Sequence, residues 1–397
     1  MSTDRPDRVM PAYRGRHRRR GRDGDRRDAG RSTRTNAAAA RGSARLPGEL
    51  YVLVPAHNEA EGISESVTAL LRQTYQPDLV VVVADNCRDA TASLAARAGA
   101  RVFTTRGNQH KKAGALNQAL ARLLPELTAD DYVMVVDADS VLDPDFLNHA
   151  VAKLSADRRL GAVGGVFRGS SGSGFVGHLQ RNEYMRYARD VARLNGKCLV
   201  VTGTAAVFRA GTLMEVSAAR LSGQLPAGDG VGGVYDTTVL TEDNEMTFAL
   251  RHLGYTVLSP KECSLVTEVM TTWGDLWRQR LRWKRGAVEN CLQYGLTRVT
   301  WPYWGRQLVT LLGVLTTFAY LGSLVYSVAV LGGIHIQPFW MAVTGIFVVE
   351  RVVTIRYRGW KYMLASATMY ELVLDIFLQF VHAKAYADSV FRRERNW

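Results

Sequence analysis

Two carboxylates one residue apart, Asp137 and Asp139, end the apolar run Tyr132 to Val136. Like charges at that spacing raise each other's pKa, and a divalent cation removes the conflict. Mg²⁺ and Mn²⁺ prefer such oxygen ligands, shared with phosphates. A third acidic group follows at Thr241-Glu242-Asp243, ahead of a helix-like stretch from Asn244 to Leu253. An alcohol that attacks with inversion needs one base on the face opposite the leaving group, and Asp243 is the candidate. Further on, Gln279-Arg-Leu-Arg-Trp283 lies in a helical stretch from Trp273 to Tyr294. Gln279 and Arg282 are three apart and share a face of that helix. A guanidinium can grip a diphosphate bidentately and stabilise a leaving group, and the indole of Trp283 is a flat plate suited to a sugar ring. Each motif also has a plain structural alternative. Asp137 or Asp139 would cap the next helix, Thr241 would cap its own with two acids in the first turn, and the basic helix would lie on anionic lipid.

These residues need a scaffold, and residues 49–165 read as alternating strands and helices. Strands are expected at Glu49–Pro55, Asp78–Ala84, Arg101–Thr105 and Tyr132–Val136. Helices are expected at 63–73, at 91–98 and from Lys112 onward. The pattern predicts an α/β fold with a parallel, doubly wound sheet. In such a sheet, ligands sit outside the carboxyl ends of the strands. Asn58 and Glu59, Asp85, and the pair Asp137 and Asp139 should therefore converge on one edge. No Gly-x-Gly-x-x-Gly or Gly-Lys-Ser/Thr loop is present. A nucleotide held here would have its diphosphate carried by metal, by Lys112 and by arginines. Val201 to Arg209 reads as a strand interrupted at Gly203, which marks a bulge or a close approach by a ligand.

The segments Val54-Pro-Ala-His-Asn-Glu59, Asp85-Asn-Cys-Arg-Asp-Ala-Thr91, Lys112-Ala-Gly-Ala-Leu-Asn117, Asp137-Ala-Asp139, Thr241-Glu-Asp243 and Gln279-x-x-Arg-Trp283 occur in that order. Together they resemble the family 2 glycosyltransferases, and within them the membrane-bound synthases of cellulose, hyaluronan and poly-N-acetylglucosamine. The resemblance covers roughly residues 49–295. It implies a nucleotide-sugar-binding, Rossmann-like fold of the glycosyltransferase A type, followed by transmembrane helices. It also implies an inverting mechanism that depends on Mg²⁺ or Mn²⁺. Pro55, Asn58, Glu59, Asp85, Lys112, Asp137 and Arg282 would bind the nucleotide sugar, with Glu59 and Asp85 at the nucleoside and Lys112 near the diphosphate. Asp139 would ligate the metal and Asp243 would be the base. Gly203, Thr204, Glu242, Gln279 and Trp283 would face the acceptor.

Composition bounds the rest. The net charge is +13, and residues 1–46 hold 14 Arg and 5 Asp with no Lys or Glu, so that stretch carries nine of the excess charges. It is too polar to bury a core and reads as a disordered basic tail able to meet anionic lipid or nucleic acid, or simply as a solvated tail. The four cysteines are scattered with no Cys-x-x-Cys pair, which argues against a disulfide framework or zinc site. Residues 47–300 are expected to be catalytic and residues 301–397 to form the membrane region. Two spans are expected at about 307–334 and 336–353, the first uncharged throughout. Residues 362–387 carry Glu371, Asp375, His382 and Lys384 and read as an amphipathic interfacial helix, or a third span. Basic residues flanking the spans place the catalytic part in the cytoplasm.

The function expected is transfer of GlcNAc or Glc from a UDP-sugar to a hydroxyl, on a growing β-linked polysaccharide. A second reading is non-processive transfer to a lipid carrier or protein, which the small number of spans favours, because two or three helices make a poor channel without partner subunits. A third is a membrane-tethered protein that binds nucleic acid or lipid through its tail. The first two involve no specific nucleic acid.

Overall fold

The computed structural model describes residues 48–333, 338–354, 356, 359–391 and 393. The basic tail and, except for Pro338, the turn expected at 335–338 lie outside them. The chain opens with β1 (Leu50–Ala56), α1 (Ile63–Leu71), β2 (Leu79–Ala84), α2 (Thr91–Arg97), β3 (Arg101–Thr104), α3 (Lys111–Leu123) and β4 (Tyr132–Val136). It continues through β5 (Val141–Leu142), α4 (Phe146–Ala156), β6 (Leu160–Gly164), β7 (Val166–Gly169), α5 (Gly174–Arg193), β8 (Ala205–Arg209) and α6 (Ala210–Leu221). Then come α7 (Glu242–His252), β9 (Thr256–Leu258), β10 (Ser264–Thr267) and α8 (Trp273–Tyr294).

Seven strands form the central sheet in the order β3-β2-β1-β4-β8-β6-β9. Alternation along β1 explains why it is central. Tyr51 and Leu53 enter one buried cluster, and Leu50, Val52 and Val54 enter the other, on the opposite face. Strands β3, β2, β1 and β4 are parallel, as the alternating pattern predicts. The sheet is not parallel throughout, however, because β8 runs antiparallel to both β4 and β6. The chain reaches β8 from the site side, through α5. Its first residues therefore lie beside the last residues of β4, and Val136 pairs with Ala205. Residues 201–204 are not strand; they form the turn that brings Gly203 to the carboxyl edge of the sheet. A second sheet, β5-β10-β7, packs beside that edge.

Past α8 come α9 (Trp301–Leu331), α10 (Pro338–Thr354), α11 (Trp360–Ala367) and α12 (Leu372–Val390). Among the described residues α9 is the single continuous helix long and apolar enough to cross a membrane, and α11 with α12 passes the same test only as a pair bent by 61°. Helix α9 starts at Trp301, with Pro302 in its first turn, and only Tyr303, Val314 and Ser327 along it are buried. Helix α10, the second expected span, has 17 residues with Glu350 and Arg351 near its end, at the short limit for crossing.

The C-terminal helices are fastened to the α/β part by charge. Glu371 is 2 % exposed and accepts hydrogen bonds from Asn182 Nδ2 (2.7 Å), Arg351 Nη1 (2.9 Å) and Arg186. Helix α12 also packs along α8, with Phe377 against Trp273 (ring centroids 4.9 Å apart) and Tyr386 under Lys284 Nζ (4.9 Å).

Candidate active site

The three parallel strand ends deliver their polar groups to one edge. The Asp85 N–H donates to Ala56 O (2.8 Å), and its buried carboxylate accepts from Thr105 Oγ1 (2.7 Å) and Asn86 Nδ2 (3.2 Å). Pro55, half-buried in β1, pairs with Val83. After it the chain turns through Asn58, whose φ of 58° is left-handed and whose Oδ1 accepts the Arg88 N–H (2.8 Å). Asparagine tolerates that conformation better than most side chains. Glu59 follows, its N–H held by buried Thr91 Oγ1 (2.8 Å).

Asp137 and Asp139 occupy a tight turn after β4. Ser140 N closes it on Asp137 O (3.2 Å), and Ser66 Oγ of α1 ties down Ala138 O (2.6 Å). Asp139 accepts from Ser140 Oγ (3.1 Å). Burial and the charge of Asp137 push Asp139 up to about 6. Burial and the charges of Asp139, Glu268 and Asp137 push Glu59 up to about 7. Four carboxylates thus share one field. Glu268 is absent from the sequence-based candidates. It follows β10, whose alternation buries Leu265, Thr267 and Val269 and leaves Glu268 facing out toward Asp139. The available signal was a carboxylate at the end of a short alternating run.

Asp243 lies in the first turn of α7, across the edge from that cluster. Its Oδ2 accepts the Gly203 N–H (3.0 Å) and its Oδ1 the Asn244 N–H (2.8 Å). A Cβ at Gly203 would stand 3.2 Å from Asp243 Cβ and Oδ2, so the close approach expected at this glycine is made by the Asp243 side chain. Thr204 contributes its carbonyl, which accepts the Asp137 N–H (2.9 Å). Burial and the neighbouring Glu242 charge push Asp243 up to about 6.

Lys112 lies between the two acidic groups. Its Nζ is 2.6 Å from Asp137 Oδ1, 3.0 Å from Gly203 O and 3.2 Å from Glu242 Oε1. Both carboxylates hold the ammonium charged against its burial. Burial would raise Glu242, yet Lys112 and Arg282 bring it below the usual carboxylate range. Lys112 is thus committed to protein oxygens at the position where a diphosphate partner was expected, and Glu242 faces Lys112. Tyr235, also missed by the sequence reading, is buried against this group. Its backbone is clasped by Asn117, N–H to Oδ1 and O to Nδ2, both at 2.8 Å.

Helix α8 brings in the remaining candidates. A Cβ at Gly286 would meet Thr241 Oγ1 at 2.4 Å, and Asn290 Nδ2 donates to Thr241 O (3.1 Å), so α8 lies directly on the N-terminus of α7. Residues three, four and seven before Gly286 share its face. They are Trp283, Arg282 and Gln279, so the face of α8 that meets Thr241 also carries these three. Arg282 is exposed, and its charge is felt at Glu242. Gln279 Oε1 is buried without a hydrogen-bond partner among the described residues. The indole of Trp283 is half-buried, with the Arg280 guanidinium 4.2 Å from its centroid. Arg280 is itself paired with Glu183 (2.8 Å) and lies over Tyr184 (5.6 Å). One face of the indole is therefore already taken.

The donor set fits a hard divalent cation, since the crowded oxygens around Asp139 are raised by one another's charge. No three His, Cys, Asp or Glu side chains among the described residues are placed to hold a metal alone. Asp139 would thus share the ion with oxygens of a bound ligand, as Mg²⁺ commonly does.

Known proteins resemble this chain over the same region. Residues 51–216 match the family model described as Glycosyl transferase family 2. Poly-β-1,6-N-acetyl-D-glucosamine synthase of Staphylococcus aureus (strain COL) is 27 % identical over 247 residues, which is 61 % of this chain and 55 % of that protein. The Staphylococcus epidermidis protein of the same name is 25 % identical over 263 residues, covering 63 % of this chain and 56 % of that one. The match therefore spans little more than half the length of these relatives. Among solved structures, a mannosyltransferase of Pyrobaculum calidifontis in complex with GDP-Man and Mn²⁺ aligns with a TM-score of 0.56 at 20 % identity, over 87 % of this chain and 88 % of that one. That likeness concerns the fold. Residues 51–216 thus resemble the family 2 glycosyltransferases, in agreement with the first four motifs along the sequence, and the chain shares its mixed α/β fold with the Pyrobaculum enzyme.

Proposed function

We propose that the chain is a membrane-associated inverting glycosyltransferase. It moves GlcNAc or Glc from a UDP-sugar to the hydroxyl of a growing β-linked polysaccharide. The observation that carries this reading is the unbroken series of contacts from Asp243 through Gly203 and Lys112 to Asp137, which joins a half-buried carboxylate to an acidic cluster at the sheet edge. The staphylococcal relatives, poly-β-1,6-N-acetyl-D-glucosamine synthases, favour GlcNAc as donor sugar.

In this reading Asp85 and Glu59 receive the nucleoside, with Pro55 and Asn58 shaping the turn beside it. Asp137 meets ribose or sugar. Asp139 holds Mg²⁺ or Mn²⁺, which offsets the diphosphate charge when bound. Asp243 takes the proton of the acceptor hydroxyl while its oxygen bonds to the anomeric carbon. The bond from that carbon to the UDP oxygen breaks, and Arg282 receives the negative charge that develops there. Gly203 and Thr204 form the floor of the acceptor side, and the free face of Trp283 with Gln279 Oε1 meets the acceptor sugar. Helix α9 anchors the enzyme in the bilayer. The basic residues from Arg278 to Arg285, with Arg351, Arg356, Arg358 and Lys361, favour a cytoplasmic catalytic part.

The test is a screen of UDP-sugars with Mg²⁺ and Mn²⁺ in purified membranes, scoring released UDP and product length. Polymer from one donor is expected. Single-sugar products on a lipid or protein would replace polymerisation with non-processive transfer, and no UDP release from any donor would overturn the reading.

A further inference from the structure

We infer that Lys112 is a positioning residue that couples the two halves of the site, its one ammonium holding Asp137 on the donor side and Glu242 beside Asp243 on the acceptor side. This inference rests on the proposed function only in calling Asp243 the base.

An ammonium has three N–H donors. Here all three have acceptors, in Asp137 Oδ1 (2.6 Å), Gly203 O (3.0 Å) and Glu242 Oε1 (3.2 Å). None is left for a phosphate unless one of these is released. Gly203 is shared as well, since its carbonyl takes Lys112 and its N–H holds Asp243 Oδ2 (3.0 Å). The position of the Asp243 carboxylate is therefore built on the lysine.

The groups facing Asp243 are few. Glu242 comes from its own helix, Lys112 from α3, Tyr235 from the preceding loop, Tyr187 from α5, Asp137 from the end of β4, and Arg282 lies beyond Glu242 on α8. Burial raises both tyrosines far above neutrality, so they stay uncharged. The charges that decide the state of Asp243 are then chiefly Glu242, which favours its protonation, and Lys112, which opposes it. A ligand that draws Asp137 away from Lys112 leaves the ammonium to Glu242 and Gly203, which strengthens its hold on the acceptor side. Lys112 and Glu242 thus have opposite effects on one carboxylate.

The experiment follows the Asp243 carboxyl by infrared difference titration of the full chain in detergent, with Asp243→Asn as the subtraction control. The parent should titrate near the value of about 6 given above. Glu242→Gln should move the midpoint down, Lys112→Met should move it up, and Lys112→Arg should return it toward the parent. In turnover, the acid limb of kcat/KM should move in the same directions. A purely structural role for Lys112 and Glu242 would lower the rate without opposite shifts. Unmoved midpoints, or shifts of the same sign in both variants, would overturn the coupling. If Lys112→Met does not fold, Glu242→Gln decides alone, and an unmoved or raised midpoint sinks the idea. The titration needs no donor sugar, so a parent protein that releases no UDP would count against the proposed function and leave this test standing.

Discussion

Gly286 of α8 and Thr241 at the start of α7 touch so closely that a Cβ on the glycine would stand 2.4 Å from Thr241 Oγ1 and 2.7 Å from Cγ2. Thr241 is short and buried, so it cannot swing aside as a long side chain would. Gly286→Ala should push α8 outward and move Arg282 and Trp283 relative to Asp243. A misplacement of about 1 Å is enough to cost about 10²-fold in rate. The expected outcome is a fall in kcat of about 10- to 100-fold in a folded protein. Thr241→Ala placed on top of Gly286→Ala should recover part of it, although Asn290 then loses an acceptor. Rates of the two single variants and the double variant form the cycle, and strict additivity would show that the contact does not set the position of α8.

In the proposed reaction Asp243 combines the role of base with a stability cost. Its ordinary value of 3.8 is raised to about 6 in the folded protein. Between those two values the folded state binds more protons than the unfolded chain, so stability is higher below them and falls as pH rises through about 6. In the proposed reaction the rate has the opposite trend, because Asp243 would have to be ionised to act as base, and it should climb through the same range. Asp243→Asn should lower kcat by about 10²- to 10⁴-fold. The same variant should melt above the parent at neutral pH, with the gap closing in acid. Melting curves across pH, alongside rates, test both signs at once.

The cluster of Glu59, Asp139, Asp137 and Glu268 predicts how metal binding varies with pH. Asp139 at about 6 and Glu59 at about 7 must shed their protons before the site can receive a cation. Binding of Mg²⁺ or Mn²⁺ should therefore release protons and tighten as pH rises through that range. The melting temperature should gain more from added metal at about pH 8 than at about pH 5. Asp139→Asn should raise the metal-free melting temperature slightly by relieving repulsion and should abolish the gain from metal. A gain that persists in Asp139→Asn would place the ion elsewhere.

How much of this was legible in the sequence depends on whether the information was local. The strands from Leu50 to Val136 are short β-branched runs bounded by turns, and their expected limits fall within one or two residues of β1 to β4. The convergence of Asp85, Asp137 and Asp139 followed from parallel topology alone. The antiparallel course of β8 did not, because strand direction is set by where the chain arrives, and Val201 to Arg209 carries no sign of that. Elements between Val141 and Val200 went unassigned, since α5 mixes apolar and charged residues around its whole circumference as it bridges the α/β part and the C-terminal helices. Lys112 was visible as a residue but not as a partner of Glu242, which lies 130 positions away. Gly203 was visible as an interruption, and the structure supplies the carboxylate that requires it.

Glu371 is where the C-terminal helices are coupled to the α/β part. It is buried, and Arg186 and Asn182 of α5 meet Arg351 of α10 on its carboxylate, with Asp375 on the far side of Arg351. Two guanidiniums share this one acid, so Glu371→Gln leaves Arg186 with uncompensated charge in a poorly hydrated setting and Arg351 with only Asp375 and Glu350. Removing one partner of a buried ion pair costs about 3–5 kcal/mol. Arg351→Met should cost less, because Arg186 still satisfies Glu371 and Asp375 is half-exposed. The consequence for the site runs through α12, which starts at Leu372 and packs along α8 beside Arg280 and Lys284. Loosening it should disturb the acceptor side more than the nucleotide side. Glu371→Gln in detergent should therefore melt earlier than the parent and than Arg351→Met, with the KM for the donor sugar nearly unchanged and kcat reduced. If Glu371→Gln melts with the parent, or if its defect lies wholly in donor KM, the ion cluster does not transmit the position of the C-terminal helices to the site.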